Sequence, residues 1–346
     1  MRLRVLTYNI HRAIGIDRRF RPERVAAILQ RYDADIVLLQ EVASGAPRSR
    51  MLDLAAFLAE RVQYAHHVLG LTVHLRVGRY GNATLSRFPI GRQRNIDLTL
   101  GALKRRGCQH TQVFLPLPGW RAEPVAAGVH QAADSAHDTG RVASGGDAAR
   151  IATRPAAREA GRRVAKLARH GHEPARVAAR RTGLALPLAG EVAPQREGAC
   201  GNGPGLLIDL AAGVVPVDIF NVHLSLTARM RRRQIRHLLR LEELLHMPAE
   251  APCIIGGDMN AWGGALKRSV FAPAGFKCAT NRRPGSRWAL KTYPSFAPTC
   301  GLDKIFYRGP LRLLRVQRSS LAIARIASDH LPVIADFELC PARLLR

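Results

Sequence analysis

The chain is short of acid. Its 346 residues include 53 Lys and Arg against 26 Asp and Glu, a formal net charge of +27. That balance favours polyanions: nucleic acid, an anionic lipid surface or a phosphate-bearing substrate. An arginine-rich, GC-rich genome would give the same excess. Aromatic side chains are also scarce, at 5%, so base-stacking platforms are not obvious. Cys108, Cys200, Cys253, Cys278, Cys300 and Cys340 are scattered, with no Cys-x-x-Cys pair. They read as inert thiols in a reducing cytoplasm. No run of ~18 uncharged apolar residues is present, so no membrane span is expected. The apolar run at 206–226 is interrupted by Asp209, Asp218 and His223. No charged start, apolar stretch and small-residue cleavage site opens the chain, and a signal peptide is not expected. The expected location is cytoplasmic, with peripheral contact to the inner face of the membrane as a variant of it.

Several short apolar runs end in chemistry. Leu3-Arg4-Val5-Leu6-Thr7-Tyr8 reads as a strand and runs into Asn9-Ile10-His11. Asp35-Ile36-Val37-Leu38-Leu39 reads as a second strand and runs into Gln40-Glu41. Between them Pro22 can open a helix, and Val25, Ala26, Ile28 and Leu29 recur at helical spacing. Strand, crossover helix and strand follow the right-handed logic of a layered α/β domain. Further on, Cys253-Ile254-Ile255 leads into Gly256-Gly257-Asp258-Met259-Asn260, and Ser328-Asp329-His330-Leu331-Pro332 precedes a closing strand. Leu302-Asp303-Lys304-Ile305-Phe306 lies between. Carboxylates, carboxamides and a histidine at strand tips suit metal-assisted hydrolysis. A hard cation such as Mg²⁺ wants oxygen ligands, and a phosphate wants nearby donors.

Together these segments resemble the endonuclease/exonuclease/phosphatase superfamily, the DNase-I-like metal-dependent phosphodiesterases. Tyr80-Gly81-Asn82 running to Leu85-Ser86-Arg87-Phe88-Pro89-Ile90, and Asn221-Val222-His223-Leu224, complete the set in family order. The resemblance implies an α/β (α+β) four-layer sandwich, two mixed β-sheets packed face to face and flanked by helices, with the site where the loops of both sheets meet. The compact pattern is most similar to the bacterial branch described only as metal-dependent hydrolases.

One stretch fits none of this. Residues 121–200 contain no Phe, Trp or Tyr, and 22 Ala, 12 Arg, 9 Gly and 5 Pro fill 48 of the 80 positions. Such a stretch offers little apolar surface to offset the entropy of ordering. Arg158 to Arg181 could form a basic helix, with Val164, Leu167 and Ala168 on one side. Gln109–Leu115 and Pro216–His223 read as strands, and the resemblance makes them neighbours joined by a short connection. Compact domains rarely need a loop beyond ~15 residues. The expectation is a single domain from 1–115 and 206–340, with 116–205 a poorly structured insertion or a stretch read in a shifted frame. The segment does not create the charge: 121–200 carries 13 basic and 8 acidic residues, and the rest keeps +22.

The chemistry assigns roles. Glu41, at a strand tip, suits direct Mg²⁺ ligation; the alternative is an exposed loop acid. Asn9 can hydrogen-bond a phosphate oxygen or a metal-bound water, or simply form a turn. Strand alternation puts Asp258 and Asn260 on one side, and the Gly pair before them supplies backbone freedom. By resemblance Asp258 orients or deprotonates the attacking water and Asn260 binds phosphate; the alternative is an Asx-turn. Asp303 and His330 form a pair in which the carboxylate fixes the imidazole and raises its pKa, and the imidazolium stabilises developing charge. The resemblance makes Asp329 a metal ligand and His223 a second acid near the leaving oxygen; His223 could instead be a satisfied core residue. Asn82 and Arg106 are further phosphate-binding candidates, although Lys104-Arg105-Arg106 could be a solvated basic loop. Many superfamily nucleases carry an acid where this chain has His11, so one firmly held metal is expected.

The function read from the sequence is a Mg²⁺-dependent phosphodiester hydrolase, with Mn²⁺ as substitute. Its substrate is DNA, RNA or an anionic lipid head group, and no obligate protein partner is evident. Arg229, Arg231, Arg232 and Arg233 cluster at the start of a helix whose apolar face continues through Ile235, Leu238, Leu239, Leu241, Leu244 and Leu245. They could hold a phosphate backbone or an anionic membrane. The alternative function is a catalytically inactive polyanion-binding protein of the same fold.

Overall fold

The computed structural model describes residues 1–101, 104–116, 213–280 and 290–340. The expected insertion at 116–205, and the boundaries drawn around it, fall almost wholly outside these residues. The first half of the chain gives β1 (Arg2–Asn9), α1 (Pro22–Tyr32), β2 (Ile36–Ser44), α2 (Leu54–Val62), β3 (His66–His74), β4 (Arg79–Ser86), β5 (Ile90–Asp97) and β6 (Gly107–Pro116). The second gives β7 (Val214–His223), α3 (Ala228–Leu238), α4 (Glu242–Leu245), β8 (Cys253–Asp258), β9 (Lys277–Cys278), β10 (Asp303–Arg308), β11 (Leu311–Arg318), α5 (Ala324–Ala327) and β12 (Val333–Leu339).

These strands form two six-stranded sheets, in the orders β11-β12-β1-β2-β4-β3 and β5-β6-β7-β8-β10-β9. Each is mixed. The central pairs β1–β2 and β7–β8 are parallel, and their neighbours run antiparallel. The expected four-layer α/β sandwich is therefore observed. Leu6, Tyr8, Val37 and Leu39 on one face of the first sheet pack against Val25, Ile28 and Leu29 of α1 and Leu54 and Leu58 of α2. Phe220 and Val222 of the second sheet pack against Ile235 and Leu238 of α3 and Leu244 of α4. Between the sheets, Leu3, Val5, Ile36 and Leu38 meet Val113, Leu115, Val215, Val217 and Ile219.

Period-2 alternation makes both faces of each strand countable. On the inward face, each strand turns polar toward one end. β1 runs Leu3, Val5, Thr7, Asn9; β7 runs Val215, Val217, Ile219, Asn221, His223; β6 runs, in reverse, Leu115, Val113, Thr111, Gln109. That polar end holds the carboxyl ends of the parallel strands, where open α/β sheets place their ligands.

Two expectations about the basic helix change. It ends at Leu238, α4 is a separate turn of helix, and Leu245 is 59% exposed rather than part of one apolar face. Arg231 is buried, and its Nη1 donates to the carbonyls of Ser225 and Leu226. It closes the loop before α3, and the exposed cluster is Arg229, Arg232 and Arg233.

Candidate active site

Asp258 ends β8, and its two carboxylate oxygens have different partners. Oδ1 accepts the backbone N–H of Asn260 at 2.9 Å, an Asx-turn. Oδ2 accepts from Asn9 Nδ2 at 3.1 Å and lies 3.6 Å from His223 Nε2 and 3.8 Å from His330 Nε2. The turn and the pocket-facing acid are thus the same residue. The backbone here admits only glycine before it: Gly257 has φ +141°, and a Cβ would lie 1.9 Å from the carbonyl oxygen of Val222.

His330 Nδ1 donates to Asp303 Oδ2 at 2.9 Å, and Thr292 Oγ1 donates to the same oxygen at 2.5 Å. Asp303 is fully buried, and its Oδ1 has no partner among the described residues. Burial opposes the charged form of His330, but Asp303, Asp258 and Asp329 outweigh it and raise its pKa to about 10. His223 is the opposite case. Burial dominates, Arg106 and His330 add to it, and Asp258 offsets them only in part, so its pKa falls to about 3. One carboxylate therefore lies between an imidazolium and a neutral imidazole. The lowered pKa favours the neutral ring at His223, beside the expectation of a second acid near the leaving oxygen.

The first sheet contributes the other wall. Glu41 has φ +56° in a bulge of β2, and Arg12 Nε is 3.9 Å from its carboxylate. The Ser328 hydroxyl donates to the Asn9 carbonyl at 2.7 Å and lies 3.3 Å from Asp329 Oδ1. Ile10 N–H donates to the Gln40 carbonyl at 3.1 Å, which ties the tips of β1 and β2. Asn9 Oδ1 accepts from His11 N–H, so its amide is fixed at both ends. His11 Nδ1 lies 3.1 Å from the Ile14 carbonyl and its Nε2 3.2 Å from Arg12 Nη2. With the ring held this way, neither nitrogen offers a free lone pair to a metal.

Arg106 is buried, not part of a solvated loop. Its Nε has no partner among the described residues. Desolvation lowers its pKa, while the carboxylates of Asp258 and Glu41 hold it up. Asn260 Nδ2 donates to the Leu224 carbonyl at 2.9 Å, which leaves one amide hydrogen. Asn82 differs from its expected phosphate role. Both of its amide hydrogens go to carbonyls, those of Gly107 at 3.2 Å and Asn221 at 2.9 Å, so no donor remains for a phosphate.

Sequence reasoning missed Arg12 and Thr292. Arg12 has its guanidinium 5.9 Å from the Tyr80 ring centre and an unpartnered Nε. A cleft of about 600 Å³, lined in part by His11, Arg12, Arg18 and Arg48, opens on Asp329. Leu226, Trp262 and Phe296, 71%, 72% and 61% exposed, are the most exposed large apolar side chains described. Leu226 and Trp262 follow His223 and Asn260 by three and two residues; Phe296 follows Tyr293, whose ring centre is 5.1 Å from that of His330. The signal was their position after each motif.

Asp258, Asp303 and His330 place ligand atoms within 4.8 Å of one another, a buried group of the size that could hold a metal ion. The remaining oxygen donors, Glu41 and Asp329, suit a hard divalent cation. No helix among the described residues is long and apolar enough to cross a membrane.

The sequence profile of the Endonuclease/Exonuclease/phosphatase family matches residues 6–330. Among curated proteins, the uncharacterized protein YbhP of Escherichia coli K12 is 31% identical over 125 residues, 34% of this chain and 49% of that protein. The chain thus spans about half the length of the curated relatives it matches. Among solved structures, an endonuclease/exonuclease/phosphatase from Beutenbergia cavernae superposes with a TM-score of 0.56 at 19% identity, covering 98% of this chain and 72% of that one. TDP2 of D. rerio, complexed with single strand DNA product, gives 0.51 at 14% identity, covering 98% and 99%. At such identities the structures speak for the fold alone. The profile match over nearly the whole chain decides the rest: the protein belongs to the endonuclease/exonuclease/phosphatase family.

Proposed function

We propose that the protein is a Mg²⁺-dependent phosphodiesterase that adds water to phosphorus. The observation that carries this reading is the Asp258 carboxylate, shared by Asn9, a neutral His223 and the protonated His330–Asp303 pair. Pairs of titratable groups whose surroundings push their pKa values apart divide acid and base roles between them. Asp258 orients a water and takes its proton as the water oxygen bonds to phosphorus. The bond from phosphorus to the leaving oxygen breaks, and a proton returns to that oxygen. His330, held in one orientation by Asp303 and Thr292, stabilises the charge that builds on the phosphoryl oxygens. Arg106, Arg12, Asn9 and the spare Asn260 amide hydrogen supply donors around the phosphate.

Glu41 and Asp329 would hold the cation, which when bound would supply Lewis-acid polarisation of the phosphoryl group. The Asp258, Asp303 and His330 group is assigned to proton chemistry instead, because both nitrogens of a protonated His330 carry hydrogens and neither can ligate.

The basic cleft beside Asp329 and the exposed Arg229, Arg232 and Arg233 support a polyanionic substrate. The single-strand DNA product on a TDP2 structure of this fold makes nucleic acid the first class to test, by analogy only. The exposed apolar side chains of Leu226, Trp262 and Phe296 support a second reading, a phospholipid-type phosphodiester met at an anionic membrane. Release of product from a bis-aryl phosphodiester should stop with EDTA and return with Mg²⁺ or Mn²⁺. DNA, RNA and phospholipid panels under the same conditions then choose the substrate. Turnover that survives exhaustive chelation would sink the metal reading. No turnover on any panel member would leave the inactive polyanion binder.

A further inference from the structure

The bulge that carries Glu41 is held from the opposite sheet. The β2–β4 register runs Leu39↔Ala83 and then Val42↔Gly81, so Gln40 and Glu41 both stand opposite Asn82. A bulge disrupts the local ladder and leaves backbone groups to be satisfied otherwise. Here Asn221, on β7 of the second sheet, reaches across. Its Nδ2 donates to the carbonyls of Leu39 and Ala83, both at 3.0 Å, which are partners in the last regular rung before the bulge, one on β2 and one on β4. Its Oδ1 accepts from Gln40 Nε2 at 2.8 Å, and the same Nε2 reaches Thr7 Oγ1 at 3.2 Å. Asn82 makes the return crossing, from the first sheet to the carbonyls of Asn221 and Gly107 in the second. Asn82, Gln40 and Asn221 are all buried, at 3%, 0% and 0% exposure.

Apolar side chains elsewhere between the sheets pack without direction. These amides do not. A buried amide is costly unless bonded, and its bonds have short, fixed lengths. Two reciprocal crossings therefore fix how far the tip of β2 stands from the tip of β7. Glu41 is the next residue after Gln40, and His223 the second after Asn221.

We propose that Asn82 and Asn221 are positioning residues, a two-way cross-sheet clamp that sets the Glu41 bulge and, through it, the affinity for the divalent cation. This rests on the reading of Glu41 as a ligand. Groups that orient ligands change metal affinity by about 10–100-fold when removed. The clamp makes no side-chain hydrogen bond to Asp258, His223, His330 or Asp303, so its main effect falls on metal affinity rather than on proton chemistry.

The experiment measures Mn²⁺ affinity directly on the purified full chain, by electron paramagnetic resonance of free Mn²⁺, alongside thermal melting. Four variants are compared: Asn221→Leu, Asn82→Ala, Glu41→Gln and Ile219→Ala, the last a cavity in the apolar part of the same layer. The clamp expects Asn221→Leu to weaken Mn²⁺ binding at least tenfold, and Asn82→Ala to weaken it by a smaller factor. The pH dependence of turnover at saturating metal should be unchanged in both. Ile219→Ala should melt earlier with wild-type Mn²⁺ affinity. Should Asn221→Leu not fold, Asn82→Ala carries the test, since it keeps every bond that Asn221 makes through its own side chain. Wild-type affinity in the clamp variants, with affinity lost in Glu41→Gln, overturns the clamp. Wild-type affinity in Glu41→Gln overturns the ligand reading and the clamp with it.

Discussion

The layer between the two sheets has two halves of opposite chemistry. At one end Leu3, Val5, Ile36 and Leu38 face Val113, Leu115, Val215, Val217 and Ile219. At the other, Thr7, Asn9, Gln40, Asn82 and Thr84 face Gln109, Asn221, His223 and Asp258, equally buried. The apolar half stabilises by removing surface from water. The polar half stabilises only where each group finds a partner. Thr84 Oγ1 donates to Gln109 Oε1 at 2.7 Å, and Gln109 Nε2 to the Val68 carbonyl at 3.0 Å. The buried atoms without a hydrogen-bond partner include Asp303 Oδ1, Arg106 Nε and Arg12 Nε among the candidate site residues, and Gln40 Oε1 and Thr111 Oγ1 within the layer itself. The contrast teaches a division of labour. One half packs apolar side chains between the sheets, and the other joins them through directed hydrogen bonds beside the candidate site.

The sharpest break between the halves is expected at His330. His330→Ala should lower turnover by ~10²-fold or more, with the circular dichroism spectrum and melting temperature nearly unchanged. Asp303→Asn should follow in the same direction with a smaller loss. Unchanged steady-state rates in both would make the pair structural. In the apolar half the pattern should invert. Ile219→Ala should cost ~2–5 kcal/mol in urea denaturation and leave the turnover of the folded protein intact. A large fall in turnover there would erase the distinction.

A third test uses pH. The folded pKa of His330, about 10, lies above its ordinary 6.5. Its charge therefore stabilises fully below 6.5, and that contribution fades as pH climbs through about 10. The folded pKa of His223, about 3, lies below 6.5. Its contribution is present above 6.5 and is lost as pH falls toward about 3. Urea midpoints across pH should show the advantage of wild type over His330→Gln shrinking on the alkaline side. His223→Gln should lose less stability than wild type on the acid side. Parallel curves would show that neither histidine is held as described.

The smallest effect is expected outside both halves. Replacing 121–200 with a short Gly/Asn turn changes loop-closure entropy by only ~0.6 kcal/mol for each halving of length. Melting temperature should move by no more than ~4 °C, with the phosphodiesterase rate retained. Unfolding or loss of activity would show that the segment supports the domain.

Much of this was legible in the sequence. Apolar alternation ending in Asn9, His223 and Asp258 located the strand ends, because burial and periodicity are local signals; Glu41, expected at a strand tip, lies instead in a bulge within β2, which runs on to Ser44. The Asp303–His330 contact also followed, since Asp303 opens β10, His330 lies just before β12, and the chemistry of the pair is specific. The amide network was not legible. Gln40 and Asn221 are 181 residues apart and Asn9 and Asp258 are 249 apart, and nothing in a strand pattern says which polar inward residues will meet. Asn82 shows the cost: its motif named it as a phosphate ligand, but only the sheet-to-sheet geometry tells where its two hydrogens go. The burial of Arg106, a phosphate candidate or a solvated loop residue by sequence, and of Arg231, one of a basic cluster, was hidden for the same reason, since a basic run looks exposed until the fold covers part of it.

The ladder between β6 and β7 has a use beyond holding the second sheet. It begins at Gly107 and His223, beside the site, and its register is unbroken to Pro116 and Val214 at the far end. The chain therefore leaves the sheet and returns to it through two adjacent positions, with the pairing locked between that doorway and the chemistry. The expectation that 121–200 can be replaced follows from this geometry, since the β6–β7 register separates the entry and exit positions from the candidate site. For the protein engineer this is a graft point. A fluorescent reporter or an affinity module with neighbouring termini should be accommodated there, away from the candidate site at the opposite end of the sheet.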